Sequence, residues 1–176
     1  LEQVAARLNW PTFRVNLDGY ISRMELVGRD AIVLKEGKQI TEFKDGIIPW
    51  AIKRPMALIL DEYDAARPDV MFVLQRLLEG YGKFALVEQN MIINVNPLFR
   101  IFATSNTIGQ GDPTGLYHGT QYINQGQLDR WNIVAKLNYL KLEDELKIVK
   151  SKVRSIDKEI IIKMIKLANL TRQGFI

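Results

Sequence analysis

Two adjacent carboxylates follow an unbroken apolar run. Met56–Leu60 fits a strand buried on both faces, and Asp61 and Glu62 come directly after it. At the carboxyl end of a parallel strand, the first carboxylate can hold the hydrated Mg²⁺ that bridges nucleotide phosphates, and the second can orient and polarise the attacking water. A solvated turn or a helix N-cap would use the same residue types, so both interpretations stay open for this segment taken alone.

A second strand-like run further along the chain also ends in polar residues. Phe99–Ala103 is followed by Thr104, Ser105 and Asn106. The carboxyl ends of neighbouring parallel strands meet at one edge of a sheet, which is where ligands bind in open α/β sheets. We therefore expect Asn106 beside the acidic pair, where its amide could hydrogen-bond the γ-phosphate or the attacking water. By itself, an asparagine at this position indicates only a turn.

A basic residue, Arg130, lies just ahead of the last strand-like pattern, in which Ile133, Ala135 and Leu137 alternate. A guanidinium group there is suited to stabilising the charge that spreads over a transferring phosphoryl group. Asp129 is adjacent, and we hypothesise that it orients the arginine. A surface ion pair is the alternative interpretation of the same residues.

One part of a phosphate-handling site is missing from these residues. The cradle G-x-x-x-x-G-K-[ST] needs a lysine followed by Ser or Thr, and neither lysine that follows a glycine, Lys38 or Lys83, has that neighbour. Residues 1–9 have the apolar periodicity of a helix already under way. Because this cradle lies between a strand and the helix that it initiates, we expect it immediately upstream of residue 1.

The composition excludes several classes of site. The 176 residues contain no cysteine and a single histidine, His118, so a disulfide scaffold, a CxxC redox site and thiolate-held zinc are excluded. A transition-metal site belonging to this chain alone is not expected, and His118 is interpreted as a loop residue. No apolar run approaches the roughly 20 residues of a bilayer crossing, which predicts a cytoplasmic chain without a membrane partner.

The net charge of +4 is concentrated near the end of the chain. Residues 135–176 contain ten Lys/Arg and five Asp/Glu, and the rest of the chain is close to neutral. Within this segment three acids precede a run of lysines, the order that suits the dipole of a helix. We therefore favour a solvated helical face over a nucleic-acid patch and expect no nucleic-acid partner.

The pattern of elements predicts an α/β fold with a small helical appendage. Glycines 80 and 82 are expected to end the helix that starts at Pro68, and a long surface loop is expected at 107–127. We place the nucleotide-binding core at 1–140 and the beginning of a helical lid at 141–176. The predicted elements are a helix at 1–9, a strand at 13–17, a helix near 21–26, a hairpin at 32–43, strands at 56–60 and 99–103, a hairpin at 84–95, and helices near 142–153 and 161–168.

These motifs together resemble those of AAA+ ATPases of the MoxR/chelatase clade. MALILDEYD resembles the Walker B strand with its catalytic glutamate, FATSN the sensor-1 strand, and QLDRW the arginine-finger segment. The hairpins at 32–43 and 84–95 fall where this clade carries its helix-2 insert and its pre-sensor-1 hairpin. The resemblance implies a P-loop NTPase core with a parallel sheet of order 5-1-4-3-2, of which strand 1 is missing here, and a helical lid.

Within that clade the chain is similar to the CobS-type family of aerobic cobaltochelatase ATPase subunits. Several longer stretches are similar in sequence and in order, including DEYDAARPDVMFVLQRLLE and GLYHGTQYINQGQLDRWNIV. That similarity implies a cytoplasmic homo-oligomeric ring, a hexamer, that uses ATP and Mg²⁺. It also implies two partners, an adaptor subunit and a large tetrapyrrole-binding subunit, which handle the cobalt. The implied reaction couples ATP hydrolysis to cobalt insertion into a corrinoid precursor in cobalamin biosynthesis.

Matched position by position, the resemblance makes Asp61 the Mg²⁺ ligand, through water, and Glu62 the catalytic base. Asn106 becomes sensor 1, and Arg130 the finger that reaches a neighbouring subunit's nucleotide. The Walker A segment is missing, and the sequence stops at TRQGFI, short of the family's sensor-2 arginine. Without strand 1, we expect these residues alone to aggregate. A MoxR-type chaperone that matures another metalloenzyme and a hydrolysis-incompetent interaction module remain the alternative functions.

Overall fold

The computed structural model describes residues 1–79, 82–112, 115, 119–153 and 155–174. Gly80 and His118, two residues singled out in the sequence, lie outside the described residues. The chain divides into two compact units, Leu1–Asn132 and Ile133–Ile176. The sequence places this division later, after residue 140, because it assigns a strand to the residues just past Asn132.

Most helices and strands of the first unit lie where the apolar patterns predict them, but the short helices Ile47–Ile52 and Gln125–Leu128 were not predicted. The elements are α1 (Glu2–Arg7), β1 (Thr12–Asn16), α2 (Arg23–Val27), β2 (Gly28–Lys35), β3 (Lys38–Asp45), α3 (Ile47–Ile52), β4 (Ala57–Asp61), α4 (Pro68–Glu79), β5 (Lys83–Leu86), β6 (Met91–Asn94), β7 (Arg100–Ala103) and α5 (Gln125–Leu128). Among the described residues, no helix has both the length and the apolar character needed to cross a membrane.

A three-stranded parallel sheet of order β1-β4-β7 forms the centre of this unit. The order agrees with strands 2, 3 and 4 of the predicted arrangement 5-1-4-3-2. The middle strand, β4, is buried on both faces: Leu58 and Leu60 belong to the main hydrophobic core, and Ile59, which alternates with them, is only 3% exposed. Burial on both faces explains why its sequence is an unbroken apolar run.

Helices α2, α3 and α4 supply the rest of the core. The buried positions of α4, Val70, Met71, Val73 and Leu74, follow the helical period and lie in the same cluster as the buried residues of α2, α3 and the sheet. Helix α2 begins with a capping box, in which the Ser22 N–H donates to Glu25 Oε2 at 2.7 Å. The first residue of α4 is Pro68, as predicted.

Both predicted hairpins are confirmed. β2 and β3 pair in antiparallel register from Gly28–Asp45 to Lys35–Lys38, and β5 pairs with β6. The base of the first hairpin is tight. A Cβ at Gly46 would lie 2.6 Å from backbone atoms of Glu25 and Gly28, so only glycine fits there without displacing the chain.

The predicted last strand at Ile133, Ala135 and Leu137 is wrong, because residues 132–140, all of which the structure describes, form no strand. Ile133 is 85% exposed and Leu137 is 90% exposed. A strand needs a neighbour in the sheet, and no described strand pairs with residues 132–140, so their backbone groups have no ladder to join. An alternating apolar pattern without a neighbouring strand does not make a strand.

The second unit consists of two helices, α6 (Leu142–Lys152) and α7 (Lys158–Gly174), which pack against each other. Arg172 of α7 bonds the Glu145 carboxylate of α6 at 2.6 Å, and its guanidinium lies 4.1 Å from the ring centroid of Tyr139. Ile161 and Ile165 are the buried residues of α7. Both helices lie where the apolar periodicity predicts them.

Candidate active site

The turns that follow β4 and β7 meet at the carboxyl edge of the sheet and are bonded to each other. The Thr104 N–H donates to the Leu60 carbonyl at 2.9 Å, which extends the ladder between the two strands by one residue. The Tyr63 N–H then donates to the Thr104 carbonyl at 2.8 Å. The predicted meeting of the two polar segments is therefore observed, and it brings Asp61, Glu62 and Asn106 to one edge.

Asp61 is the last residue of β4, and both of its carboxylate oxygens accept hydrogen bonds. The Thr104 hydroxyl donates to Oδ1, and Arg14 of β1 donates to Oδ2 from Nη2 and, at 3.0 Å, from Nε. These bonds, from Thr104 first and from Arg14 second, hold the pKa of the Asp61 carboxyl below its usual value in spite of partial burial. The carboxylate therefore stays ionised at neutral pH.

An ionised carboxylate beside a hydroxyl is an oxygen donor set of the kind that Mg²⁺ prefers. Asp61 and Thr104 supply that set at the edge where nucleotide phosphates bind in open α/β sheets. The residues present therefore fit the predicted magnesium ion. Because Arg14 bonds Oδ2, a bound cation would share the carboxylate with this arginine or displace it.

Glu62 occupies an unusual backbone conformation between Asp61 and the 3₁₀ turn Tyr63–Ala65. Its φ is 55° and its ψ 46°, in the left-handed region that non-glycine residues seldom adopt. The Glu62 N–H lies 3.4 Å from Thr104 Oγ1, so the same threonine contacts both members of the acidic pair. Glu62 is partly exposed at this edge.

Asn106 has an exposed side chain on a loop that a buried carboxylate holds by its backbone. The Asn106 N–H donates to Asp64 Oδ1 at 3.3 Å, and the N–H and hydroxyl of Thr107 each donate to Asp64 Oδ2 at 2.8 Å. Asp64 itself is only 1% exposed. The loop is thus fixed to the turn that carries Glu62, and the amide of Asn106 is left unburied at the same end of the sheet.

Arg130 follows α5 and has different partners from those predicted. Its Nη1 donates to the Gly126 carbonyl, and its guanidinium pairs with the Glu79 carboxylate at the end of α4. Asp129 instead accepts a bond from Gln125 Nε2 at 3.0 Å. The hypothesis that Asp129 orients Arg130 is therefore wrong. Gln125 lies one helical turn before Asp129 and bonds its carboxylate, whereas Arg130 pairs with Glu79.

Three residues that support the site were not singled out from the sequence: Arg14, Asp64 and Thr104. Thr104 and Asp64 lie within the motifs at the two strand ends, where a hydroxyl and a third acid could have been recognised as structural partners of Asp61 and Asn106. Arg14 is a charged residue in the middle of a short strand. That position indicates an outward-facing side chain, but the acid it contacts is 47 residues away in sequence.

Residues 1–118 match the family described as the AAA domain, dynein-related subfamily. The chain belongs to that family. The match includes Asp61, Glu62 and Asn106, and it ends before Arg130. The prediction of a P-loop AAA core is confirmed by this match together with the parallel sheet.

Among individual proteins, this AAA domain is 58% identical to a protein of a Sinorhizobium species named aerobic cobaltochelatase subunit CobS, across 100% of the chain and 54% of that protein. It is 26% identical to an uncharacterised protein of Staphylococcus saprophyticus, across 98% of the chain and 64% of that protein. The chain thus spans roughly half to two thirds of the length of these relatives.

A solved structure from Cytophaga hutchinsonii, provisionally described as an ATPase, has the same fold. It aligns with a TM-score of 0.55 and 18% identity, over 87% of this chain and 44% of that one. This similarity bears on the arrangement of elements alone. It agrees with the α/β core that the family match indicates.

Proposed function

We propose that this AAA domain is the nucleotide-binding part of a cobaltochelatase ATPase subunit, which couples ATP hydrolysis to cobalt insertion into a corrinoid precursor in cobalamin biosynthesis. The observation that carries the proposal is the 58% identity, over the whole chain, to a protein named aerobic cobaltochelatase subunit CobS. The acidic pair and the amide at the sheet edge are of the types that bind Mg²⁺ and orient water in ATP hydrolysis, which supports the proposal.

In this proposal Asp61 holds Mg²⁺ through water, and the ion supplies neutralisation of charge on the nucleotide phosphates. Glu62 accepts a hydrogen bond from the attacking water, orients it towards the γ-phosphate and takes up its proton. Asn106 donates its side-chain amide to the γ-phosphate or to that water. The ionised state of Asp61 and the partial exposure of Glu62 support these roles.

We further propose that Arg130 acts on the nucleotide of a neighbouring copy in a homo-oligomeric ring of six. Its described hydrogen bonds go to Glu79 and Gly126, and none goes to Asp61 or Glu62 of its own chain. A finger that works in a neighbour's site has no need to contact its own. Residues 1–140 would then be the nucleotide-binding core, and α6 and α7 the beginning of a helical lid.

Glu62→Gln in the full-length protein tests the hydrolytic role. The amide keeps the size of the side chain but cannot take the proton of the water, so ATP binding should be retained and turnover should fall by about 10²-fold or more. Glu36→Gln, an exposed glutamate at the turn of the first hairpin, is the matched control and should leave turnover unchanged. Equal turnover in both variants would remove Glu62 from its role.

Association with the other chelatase subunits tests the larger proposal. The full-length protein with ATP should be retained by the large tetrapyrrole-binding subunit and the adaptor subunit, and the three together should insert Co²⁺ into a corrinoid precursor. ATP hydrolysis without any such association would favour the MoxR-type chaperone instead. Nucleotide binding without hydrolysis by the wild-type protein would favour an interaction module.

A further inference from the structure

Asp64 is a buried acid to which the hydrolytic mechanism assigns no role. It lies in the 3₁₀ turn Tyr63–Ala65, two residues after Glu62, and is only 1% exposed. A carboxylate removed from water is costly unless donors satisfy its oxygens, so a fold that buries one must supply several partners. The identity of those partners shows what the carboxylate holds in place.

Among the described residues, three donor groups bond the Asp64 carboxylate, and they belong to two residues of the loop after β7. The backbone N–H of Asn106 and the N–H and hydroxyl of Thr107 donate to its two oxygens at 2.8 to 3.3 Å. These residues are 42 and 43 positions from Asp64 in sequence. One short side chain therefore joins the turn carrying Glu62 to the loop carrying Asn106, without an intervening residue.

Other bonds leave this link little freedom. The Asp64 carbonyl accepts the Gln121 N–H at 2.8 Å, which anchors the turn on a further segment. On the loop side, the Thr107 hydroxyl also accepts a hydrogen bond from the Gly109 N–H at 3.3 Å. The Thr107 carbonyl accepts one from the Ser105 hydroxyl at 2.5 Å. A displacement of the loop at Asn106 must therefore move the Asp64 carboxylate or break its bonds.

We propose that Asp64 is a positioning residue that makes Asn106 and Glu62 move as one unit, so that the state of the γ-phosphate at Asn106 sets the orientation of Glu62. The proposal rests on the hydrolytic roles given above to those two residues. In this proposal Asp64, which is only 1% exposed, does not itself contact the nucleotide; it acts through the Asn106 backbone on one side and through the chain to Glu62 on the other.

The test is a double-mutant cycle between Asp64→Asn and Asn106→Ala in the full-length protein, read as kcat and KM for ATP. An asparagine keeps the shape of the side chain, but its NH₂ group faces N–H donors and weakens the link. Asp64→Asn alone should lower kcat about 10- to 100-fold, the effect of a small misplacement of catalytic groups, with KM within about twofold of wild type. Added to Asn106→Ala, it should lower kcat no further, since residues that act as one unit are not additive.

Two further variants keep the outcome interpretable if Asp64→Asn folds poorly. Thr107→Val removes one of the three donors and should lower kcat with KM retained, whereas Thr107→Ser keeps the hydroxyl and should restore wild-type kcat. Asp69→Asn, on the exposed first turn of α4, is the matched aspartate control and should change neither parameter.

The possible results separate this proposal from the one on which it rests. If Asn106→Ala leaves kcat unchanged, the role of Asn106 in hydrolysis fails. If Asn106→Ala lowers kcat and the effect of Asp64→Asn or Thr107→Val multiplies with it in full, the roles of Asn106 and Glu62 stand but the coupling fails. A rise in KM with unchanged kcat for Asp64→Asn would also overturn the coupling.

Discussion

Thr104→Val is the substitution that most directly probes how the sheet edge prepares Asp61 for a cation. Valine has nearly the volume of threonine, so the β7 end and its backbone bonds should be retained. The change removes the hydroxyl that donates to Asp61 Oδ1 and that lies 3.4 Å from the Glu62 N–H. Arg14 would then be the remaining side-chain donor to the Asp61 carboxylate among those described.

The size of the effect follows from the strength of one hydrogen bond to a charged acceptor. Such bonds contribute about 1.5–3 kcal/mol when desolvated, and we take about 1 kcal/mol here because the threonine is exposed. If that energy orients the carboxylate towards a hydrated Mg²⁺, its loss weakens the apparent Mg²⁺ affinity about fivefold. The pKa of the Asp61 carboxyl should also rise towards its ordinary value, because the largest cause of its lowering is removed.

The assay is the Mg²⁺ dependence of ATP turnover by the full-length protein, with ATP held constant. The Mg²⁺ concentration at half-maximal rate should rise about fivefold for Thr104→Val. Thr104→Ser keeps the hydroxyl and should give the wild-type curve. If the valine, serine and wild-type curves coincide while maximal rates also agree, Thr104 does not prepare Asp61, and the interpretation of this contact as functional is refuted.

Three further predictions follow from other parts of the fold. Arg130→Ala should lower turnover of the assembled ring, and mixing with subunits that carry wild-type Arg130 should restore it; absence of rescue would argue against action on a neighbour. Gly46→Ala should lower the thermal midpoint by several degrees, since its Cβ would lie 2.6 Å from backbone atoms, whereas Gly19→Ala, with nothing within 4 Å, should not. The folded-state pKa of Asp61 is lowered by the hydrogen bond from Thr104 and, second, by the bonds from Arg14, so these contacts stabilise the protein above the unfolded-state pKa of an aspartate. That stabilisation is lost as the pH falls through the folded-state pKa, and the difference in thermal midpoint between wild type and Asp61→Asn should therefore shrink on acidification through that range.

The elements that the sequence predicts correctly are those whose pattern depends on burial alone. The run Met56–Leu60 signals a strand covered on both faces, and the structure has β4 there at the centre of the sheet. The prediction that Asp61 and Asn106 lie at one edge is also correct, because chain direction in a parallel sheet decides where the strand ends meet. These predictions needed no information about which side chains touch.

Predictions that needed a particular partner were less successful. The alternation around Ile133 and Leu137 has the period of a strand, yet a strand also needs a neighbour, and the chain forms none there. Likewise, Arg130 was paired with its sequence neighbour, while its partner Glu79 is 51 positions away. Asp64 was not singled out at all, because nothing local shows that a loop more than forty residues later supplies its donors.

Under the catalytic role proposed for Glu62, its left-handed backbone opposes stability to activity at one position. A non-glycine residue in this region carries a cost of about 1–2 kcal/mol that glycine avoids and asparagine reduces. Selection for thermal stability alone would therefore favour glycine or asparagine at position 62, and would discard the carboxylate in doing so. A search for more thermostable variants of this domain should leave Glu62 unchanged, because a more stable variant at this position is expected to be inactive.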